Sequence, residues 1–269
     1  MTKFLNGSEI ADFIKERQAR QVRSMRQSSN IMPKLAIIKT VGSSNVIDMY
    51  VRMKERYASD ILIDTIVETV QDDDMPAIIK TMNDDPSIHG IIVQLPLTET
   101  SKTDSIVNMI SPKKDVDGLG EKANFDSATA EAINWLLVGY SIDIKNKKIV
   151  IIGNGRLVGL PLARIWRSGD YDVTVLEFGD DLKLGLRDAQ IIITATGVAN
   201  LLTSEMIPIG AVIVDAGTTS EQGVVTGDVD KSVRERDDIV ITPEKGGVGP
   251  LTISALFEHL IINANSAKI

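Results

Sequence analysis

The stretch IVIIGNGRLVGLPLARIW, residues 149–166, constrains the fold of this 269-residue chain more than any other. An apolar run breaks at Gly153, passes Gly155 and Gly159, and resumes as an apolar pattern of helical spacing. That reads as a strand running through a tight loop into a helix. In such a loop the first glycine permits the turn. The second lets the backbone approach a pyrophosphate, which sits at the positive end of the helix. The spacing, G-x-G-x-x-x-G, is one residue longer than the common dinucleotide fingerprint, and a turn that binds nothing also fits it. The candidate cofactor-binding residues are Gly153, Asn154, Gly155, Arg156, Val158 and Gly159, with Thr196 and Gly197 at the end of the later run QIIITAT and just past it. Glu177 closes the next strand, VTVLEF. An acid there accepts hydrogen bonds from the hydroxyls of an adenosine ribose and repels a 2′-phosphate, which leans the site toward NAD. A solvated charge at a strand end is the plainer reading of the same residue.

The rest of the chain repeats this alternation. KLAIIKTVG (34–42) reads as a buried strand, and residues 45–58 as a helix with Val46, Tyr50, Met53, Lys54 and Tyr57 at helical spacing. ILIDTIV is a strand, MPAIIKTMN a helix with Pro76 in its first turn, and IHGIIVQLPL a third strand ending at residues 94–97. A first helix is expected after Ser8 as N-cap, with Ile10, Phe13 and Ile14 on one face. Beyond SPKKDVDGLG come a longer helix, SATAEAINWLLVGY, and the strands KKIVIIG, VTVLEF, QIIITAT, AVIVDAG and DIVIT, closed by the helical LTISALFEHLIINA. Strands alternating with helices predict an α/β protein with mostly parallel sheets. The expected division is a domain of residues 1–118, with a terminal helix 251–269 packing back on it, and a Rossmann-like cofactor domain of residues 119–250.

Composition narrows the function. The formal net charge is −8 and the charges are interspersed, which argues against nucleic acid and anionic membranes as partners. The chain has no cysteine, so disulfides, thiolate metal sites and a cysteine nucleophile are excluded. His89 and His259 lie far apart, outside metal-ligand spacing, and no metal site is expected. The N-terminal MTKFLNGSEIADFIKERQ is too charged for a signal peptide, and no apolar run approaches the roughly 18 residues of a membrane span. A soluble cytoplasmic protein is the expectation.

Four further stretches carry what the glycine loop alone does not: YVRMK (50–54), GIIVQLPL (90–97), KKDVDG (113–118) and TPEKGGVGPLT (242–252). In order and spacing they resemble the bifunctional methylenetetrahydrofolate dehydrogenase/methenyltetrahydrofolate cyclohydrolase family, and GAVIVDAG and GDVD fall where that family has similar segments. The resemblance implies two α/β domains with the substrate in a cleft between them, and a homodimer. It implies oxidation of 5,10-methylenetetrahydrofolate with NADP or NAD, then hydrolysis of the methenyl product to 10-formyltetrahydrofolate.

It also implies roles. Lys54 is the catalytic group beside the one-carbon bridge, with Tyr50 against it. The two are four apart on a helix and share a face, a spacing that a packed aromatic and a surface lysine would show equally. A lysine in a partly apolar cleft is desolvated, which lowers its pKa and suits proton exchange near neutrality. Gln94 stands at the carboxyl end of a strand, where open α/β sheets place ligands, and its amide can bond both the lysine and the substrate. Asp117 completes the catalytic set by holding the pterin ring, while Asp115 shapes its loop. Leu95, Pro96, Gly247 and Pro250 join Tyr50, Gln94 and Asp117 as expected substrate contacts.

Three departures mark a divergent member. Gly153-Asn154-Gly155 stands where the family commonly reads Gly-Arg-Ser, SATAEA (127–132) where it has Pro-Cys-Thr-Pro-x-Gly, and Glu244-Lys245 where it has Val-Pro. With Glu177, the loss of that arginine at Asn154 favours NAD over NADP. The alternatives are a cyclohydrolase with a decayed cofactor site, and a non-catalytic paralogue that binds folate or a protein.

Overall fold

The computed structural model describes residues 3–221 and 224–266. Its first half runs β1 (Lys3–Phe4), α1 (Gly7–Ser29), β2 (Lys34–Thr40), α2 (Asn45–Asp60), β3 (Asp64–Val70), α3 (Met75–Asp84), β4 (Gly90–Val93) and α4 (Thr103–Val107). There follow α5 (Ala128–Gly139), β5 (Ile149–Ile152), α6 (Gly159–Ser168), β6 (Val173–Leu176), α7 (Leu182–Leu186) and β7 (Ile191–Thr194). The chain closes with β8 (Val212–Asp215), β9 (Thr219–Glu221), β10 (Val224–Thr226), α8 (Lys231–Arg234), β11 (Val240–Ile241) and α9 (Val248–Ser266). It divides into two compact units, Asp12–Ala128 with Ile253–Ile269, and Met1–Ala11 with Thr129–Thr252. The division falls inside α1, α5 and α9.

The first unit holds a parallel sheet of order β3-β2-β4. Its central strand pairs with β3 along its whole length and, over residues 35–38, with β4. Those four residues are fully buried, because a parallel strand covered on both faces takes a continuous apolar run rather than an alternating one. Ser44 caps α2, accepting from the Ile47 N–H at 3.3 Å. That helix buries Ile47, Val51, Tyr57 and Ala58, and Tyr50 and Lys54 beside them stay partly exposed. On α3, Met75, Ile79 and Met82 pack with Ala36, Ile38, Ile91 and Val93. Each such side chain contributes about 1.5–3 kcal/mol relative to exposure. From α9, Phe257 stacks on Tyr57 at 5.0 Å.

The second unit is built on a six-stranded parallel sheet, β1-β11-β8-β7-β5-β6, with β9 and β10 as an antiparallel pair apart from it. From β5 the chain moves to one side to make β6 and then returns to the other to make β7, so the strand order reverses at β5. The first sheet reverses likewise at β2. In open α/β sheets ligands bind at the carboxyl ends of strands at such a reversal.

The fold class is the one expected, and some local expectations are corrected. The helix α1 begins at Gly7, and its cap is Asn6, whose Oδ1 accepts from the Ser8 N–H at 3.1 Å, rather than Ser8. Its buried stripe within the first unit is Ile14, Gln18, Val22 and Met25, and Phe13 faces out. The buried Gln18 interrupts the apolar periodicity that would have shown this face. β4 stops at Val93, short of residues 94–97, where Pro96 has no N–H for a ladder. The two-residue β1 pairs with β11, so the chain's beginning groups with the second unit and not with the first.

Candidate active site

In the first unit, Gln94 is the first residue past β4, and its N–H still bonds the Ile38 carbonyl of β2 at 2.8 Å. That fixes its side chain at the carboxyl edge of the sheet. Lys54 Nζ, from α2, donates to Gln94 Oε1 at 2.9 Å, and Gln94 Nε2 donates to the Leu95 carbonyl at 3.3 Å. Burial pushes the Lys54 pKa below that of an ordinary lysine, and the Asp117 carboxylate pulls it partly back. Burial raises the Asp117 pKa, Lys54 and His259 oppose that rise, and Asp115 adds to it. An amine and a carboxyl whose charged forms are both disfavoured by burial, each supporting the other's charge, are suited to exchanging a proton with a bound ligand.

The loop that carries Asp117 is anchored on either side of it. Asp115 is buried and accepts from the Gly118 N–H at 3.0 Å and the Gly120 N–H at 2.7 Å, which shapes the turn. Gly118 takes φ +69°, and a Cβ there would lie 2.2 Å from the Asp126 carbonyl oxygen. The Val116 carbonyl accepts from Nδ1 of the buried His259 at 2.8 Å, and the imidazole stacks on Phe125 at 4.5 Å. Tyr50 lies one helical turn before Lys54. Leu95 is half-buried and Pro96 exposed.

In the second unit a cavity of about 570 Å³ lies at the carboxyl end of β5. Gly153, Asn154, Gly155, Glu177 and Thr196 wall it, together with the apolar Leu176, Leu182, Val198 and Leu201. A Cβ on Gly159 would sit 1.8 Å from the Gly153 carbonyl oxygen, so α6 packs on the turn only because that residue is glycine. The side-chain position of Gly155 faces open space. Asn154 Nδ2 donates to Glu177 Oε1 at 2.8 Å, joining the two residues on which the expected lean toward NAD rests. A glycine turn with open backbone, a carboxylate at the end of the neighbouring strand and apolar walls fit a dinucleotide.

Of the other expected cofactor contacts, Arg156, Val158, Gly159 and Gly197 do not wall the cavity. Val158 precedes α6 as its N-cap, and Gly197 makes the turn after β7 with φ +70°. Gly247 is buried, its carbonyl oxygen 1.9 Å from where a Cβ on Gly7 would be, and Pro250 stands in the first turn of α9. Ser127 is buried just before α5, while Glu244 and Lys245 are exposed. Among the described residues no cluster of acids and histidines could hold a metal ion, and no helix is long and apolar enough to cross a membrane. Sequence reasoning missed His259 as a neighbour of the Asp117 loop and Phe178 as a fully exposed aromatic on the cavity rim. Nothing local marks the histidine, and the sequence shows only that Phe178 directly follows Glu177, its exposure being visible in the structure alone.

Fold and sites together define a two-unit α/β protein with a bonded lysine–amide pair at a sheet edge in one unit and, in the other, a glycine-turn cavity that fits a dinucleotide. The chain belongs to the tetrahydrofolate dehydrogenase/cyclohydrolase family: its catalytic domain matches residues 5–117 and its NAD(P)-binding domain residues 127–268. The bifunctional protein FolD of Lactobacillus acidophilus is 34% identical over 275 residues, which cover 97% of this chain and 96% of the relative. The crystal structure of the bifunctional FolD dehydrogenase/cyclohydrolase from Campylobacter jejuni, 33% identical, matches with a TM-score of 0.91 over 99% of each chain. The Trypanosoma brucei enzyme, crystallised with NADP and an inhibitor, is 26% identical with a TM-score of 0.91, covering 100% of this chain and 99% of that one.

Proposed function

We propose that this protein oxidises 5,10-methylenetetrahydrofolate to the methenyl form with a nicotinamide nucleotide and hydrolyses that product to 10-formyltetrahydrofolate. The observation that carries the reading is the bond from Lys54 Nζ to Gln94 Oε1 at 2.9 Å, which aims a lysine of lowered pKa along the carboxyl edge of a parallel sheet. In this reading Lys54 moves the proton at the one-carbon bridge, Gln94 orients the lysine and the substrate, Tyr50 lies against the folate, and Asp117 accepts from the pterin N–H groups. The nicotinamide, when bound, supplies the acceptor for the hydride released in the oxidation. Gly153 and Gly155 receive the pyrophosphate and Glu177 the adenosine ribose. The glycine packing and the intact cavity support both activities over a hydrolase with a decayed cofactor site.

The same reading includes a preference for NAD. Asn154 orients the Glu177 carboxylate toward the place of the ribose, and a 2′-phosphate brought beside that carboxylate meets like charge. A homodimer is the assembly that the family resemblance implies.

The test is to supply the purified protein with 5,10-methylenetetrahydrofolate and either NAD or NADP, following reduced nicotinamide and methenylfolate by absorbance. Reduction with NAD preferred is expected, and Glu177→Gln is expected to narrow that preference by roughly tenfold through loss of the repulsion. Hydrolysis without reduction of either nucleotide would leave a cyclohydrolase alone. Absence of both reactions would sink the proposal.

A further inference from the structure

A buried acid network runs along the carboxyl edge of the second sheet, beneath one wall of the cavity. Asp228 is fully buried, and its Oδ2 accepts three hydrogen bonds: from Thr194 Oγ1 at 2.6 Å, from the Thr196 N–H at 2.6 Å and from Thr196 Oγ1 at 2.9 Å. Thr196 Oγ1 in turn accepts from the Val198 N–H at 3.1 Å. Thr196 and Val198 both face the cavity. One carboxylate oxygen therefore sets the course of the chain from the end of β7 through residues 196–198.

Asp228 is itself held from behind. Its N–H donates to Asp215 Oδ1 at 3.1 Å, and Asp215 Oδ2 receives Arg234 Nη2 at 2.7 Å. The Asp215 N–H donates to Thr242 Oγ1 at 2.9 Å, so the ends of β7, β8 and β11 are tied in one row. Both acids fit slots left by glycines. A Cβ on Gly217 would lie 2.0 Å from Asp228 Oδ1, and one on Gly227 2.1 Å from Asp215 Oδ2. Asp228 Oδ1 has no hydrogen-bond partner among the described residues. A buried carboxylate with one oxygen unpartnered is an expensive way to build a plain core, where an apolar side chain of similar volume is commonly as stable or more so. Its geometry is spent on a single segment, which runs from the end of β7 into the cavity wall.

We propose that Asp228 is a positioning residue of the nucleotide site, its carboxylate holding residues 196–198 in the shape that receives the part of the dinucleotide beyond the adenosine. This rests on the nucleotide reading above. The direction follows from the strand order β7-β5-β6, which sets Glu177, past β6, and Thr196, past β7, on opposite sides of the glycine loop. Disturbing Asp228 therefore weakens the whole dinucleotide and spares a ligand that occupies the adenosine side alone.

The experiment is calorimetric titration of NAD and of adenosine monophosphate into the full-length protein, into Asp228→Asn and into Thr194→Val. Thermal unfolding and the hydrolysis of methenyltetrahydrofolate are followed in parallel as controls for folding. Asp228→Asn keeps the side-chain volume and turns one acceptor into a donor. It is expected to raise the Kd for NAD roughly tenfold and to leave that for adenosine monophosphate within about twofold. Thr194→Val, which removes one of the three donors from outside the cavity, is expected to act in the same direction by a smaller factor, and it decides the matter alone if Asp228→Asn does not fold. An unchanged Kd for NAD, or equal weakening of both ligands, would overturn the proposal. If the unsubstituted protein binds neither ligand, the nucleotide reading fails and takes the proposal with it.

Discussion

Lys54 is held by one hydrogen bond to a neutral amide and opposed by burial, an arrangement that favours losing its proton. Lys54→Met is expected to lower the hydrolysis of methenyltetrahydrofolate by about 10²- to 10⁴-fold, the usual range for a general acid–base group. The same substitution has a stability consequence of definite sign. Because the folded pKa lies below the unfolded one, the unfolded chain binds more protons between the two values, and stability rises with pH across that window. Below it the charged amine destabilises the folded state in full. The thermal midpoint of Lys54→Met at pH 7 is therefore expected to hold or rise while hydrolysis is lost; a fall of both together would make Lys54 a structural residue. Asp117 acts in the opposite sense, since its charge props up the Lys54 pKa. In Asp117→Asn that support disappears. The acid limb of the hydrolysis profile is expected to move to lower pH, whatever happens to the maximal rate, and a limb that stays in place would separate the two groups.

At the scale of elements, the junction of β5 and α6 turns on one glycine. With the Gly159 side-chain position 1.8 Å from the Gly153 carbonyl, Gly159→Ala must push the helix off the turn. The expected result is loss of detectable nucleotide binding by calorimetry and destabilisation of about 1–3 kcal/mol, the range for overpacking, read from the urea midpoint. Tight NAD binding by that variant would remove the turn from the site. Such junctions were legible in the sequence, because β2 and β5 are buried on both faces and announce themselves as unbroken apolar runs. Other elements were not. The two-residue β1 has no period to read, and the inner face of α1 is masked by Gln18, which is buried because Tyr57 Oη donates to its Oε1 at 2.7 Å while its Nε2 donates to the Ser254 carbonyl at 2.9 Å. Lys54 and Gln94 were marked by a family resemblance, since side chains forty positions apart leave no local pattern when they meet. The contact of His259 with Val116, across 143 positions, left no trace at all.

The path of the whole chain adds a constraint that neither a residue nor an element shows. The first unit is not continuous: residues 12–128 are completed by the terminal segment from Ile253 onward. That segment brings Leu256, Phe257 and Leu260, all fully buried, the Phe257 ring stacked on Tyr57, and His259 bonded to the Val116 carbonyl beside Asp117. Three such side chains contribute about 1.5–3 kcal/mol each on burial, which together is of the order of the about 5–15 kcal/mol by which a whole domain is stable. The segment also carries Ser254, whose hydroxyl and carbonyl serve the buried Tyr57 and Gln18. Without it those polar groups lose partners in a site already stripped of its apolar cover. A chain ending at Thr252 is therefore expected to lack a folded first unit, although it retains Lys54, Gln94 and Asp117. Hydrolysis of methenyltetrahydrofolate should be absent, and circular dichroism should show the loss of helix to exceed what the missing residues of α9 account for. A truncated chain that unfolds cooperatively and hydrolyses at the full-length rate would mean that the lysine site stands on residues 12–128 alone.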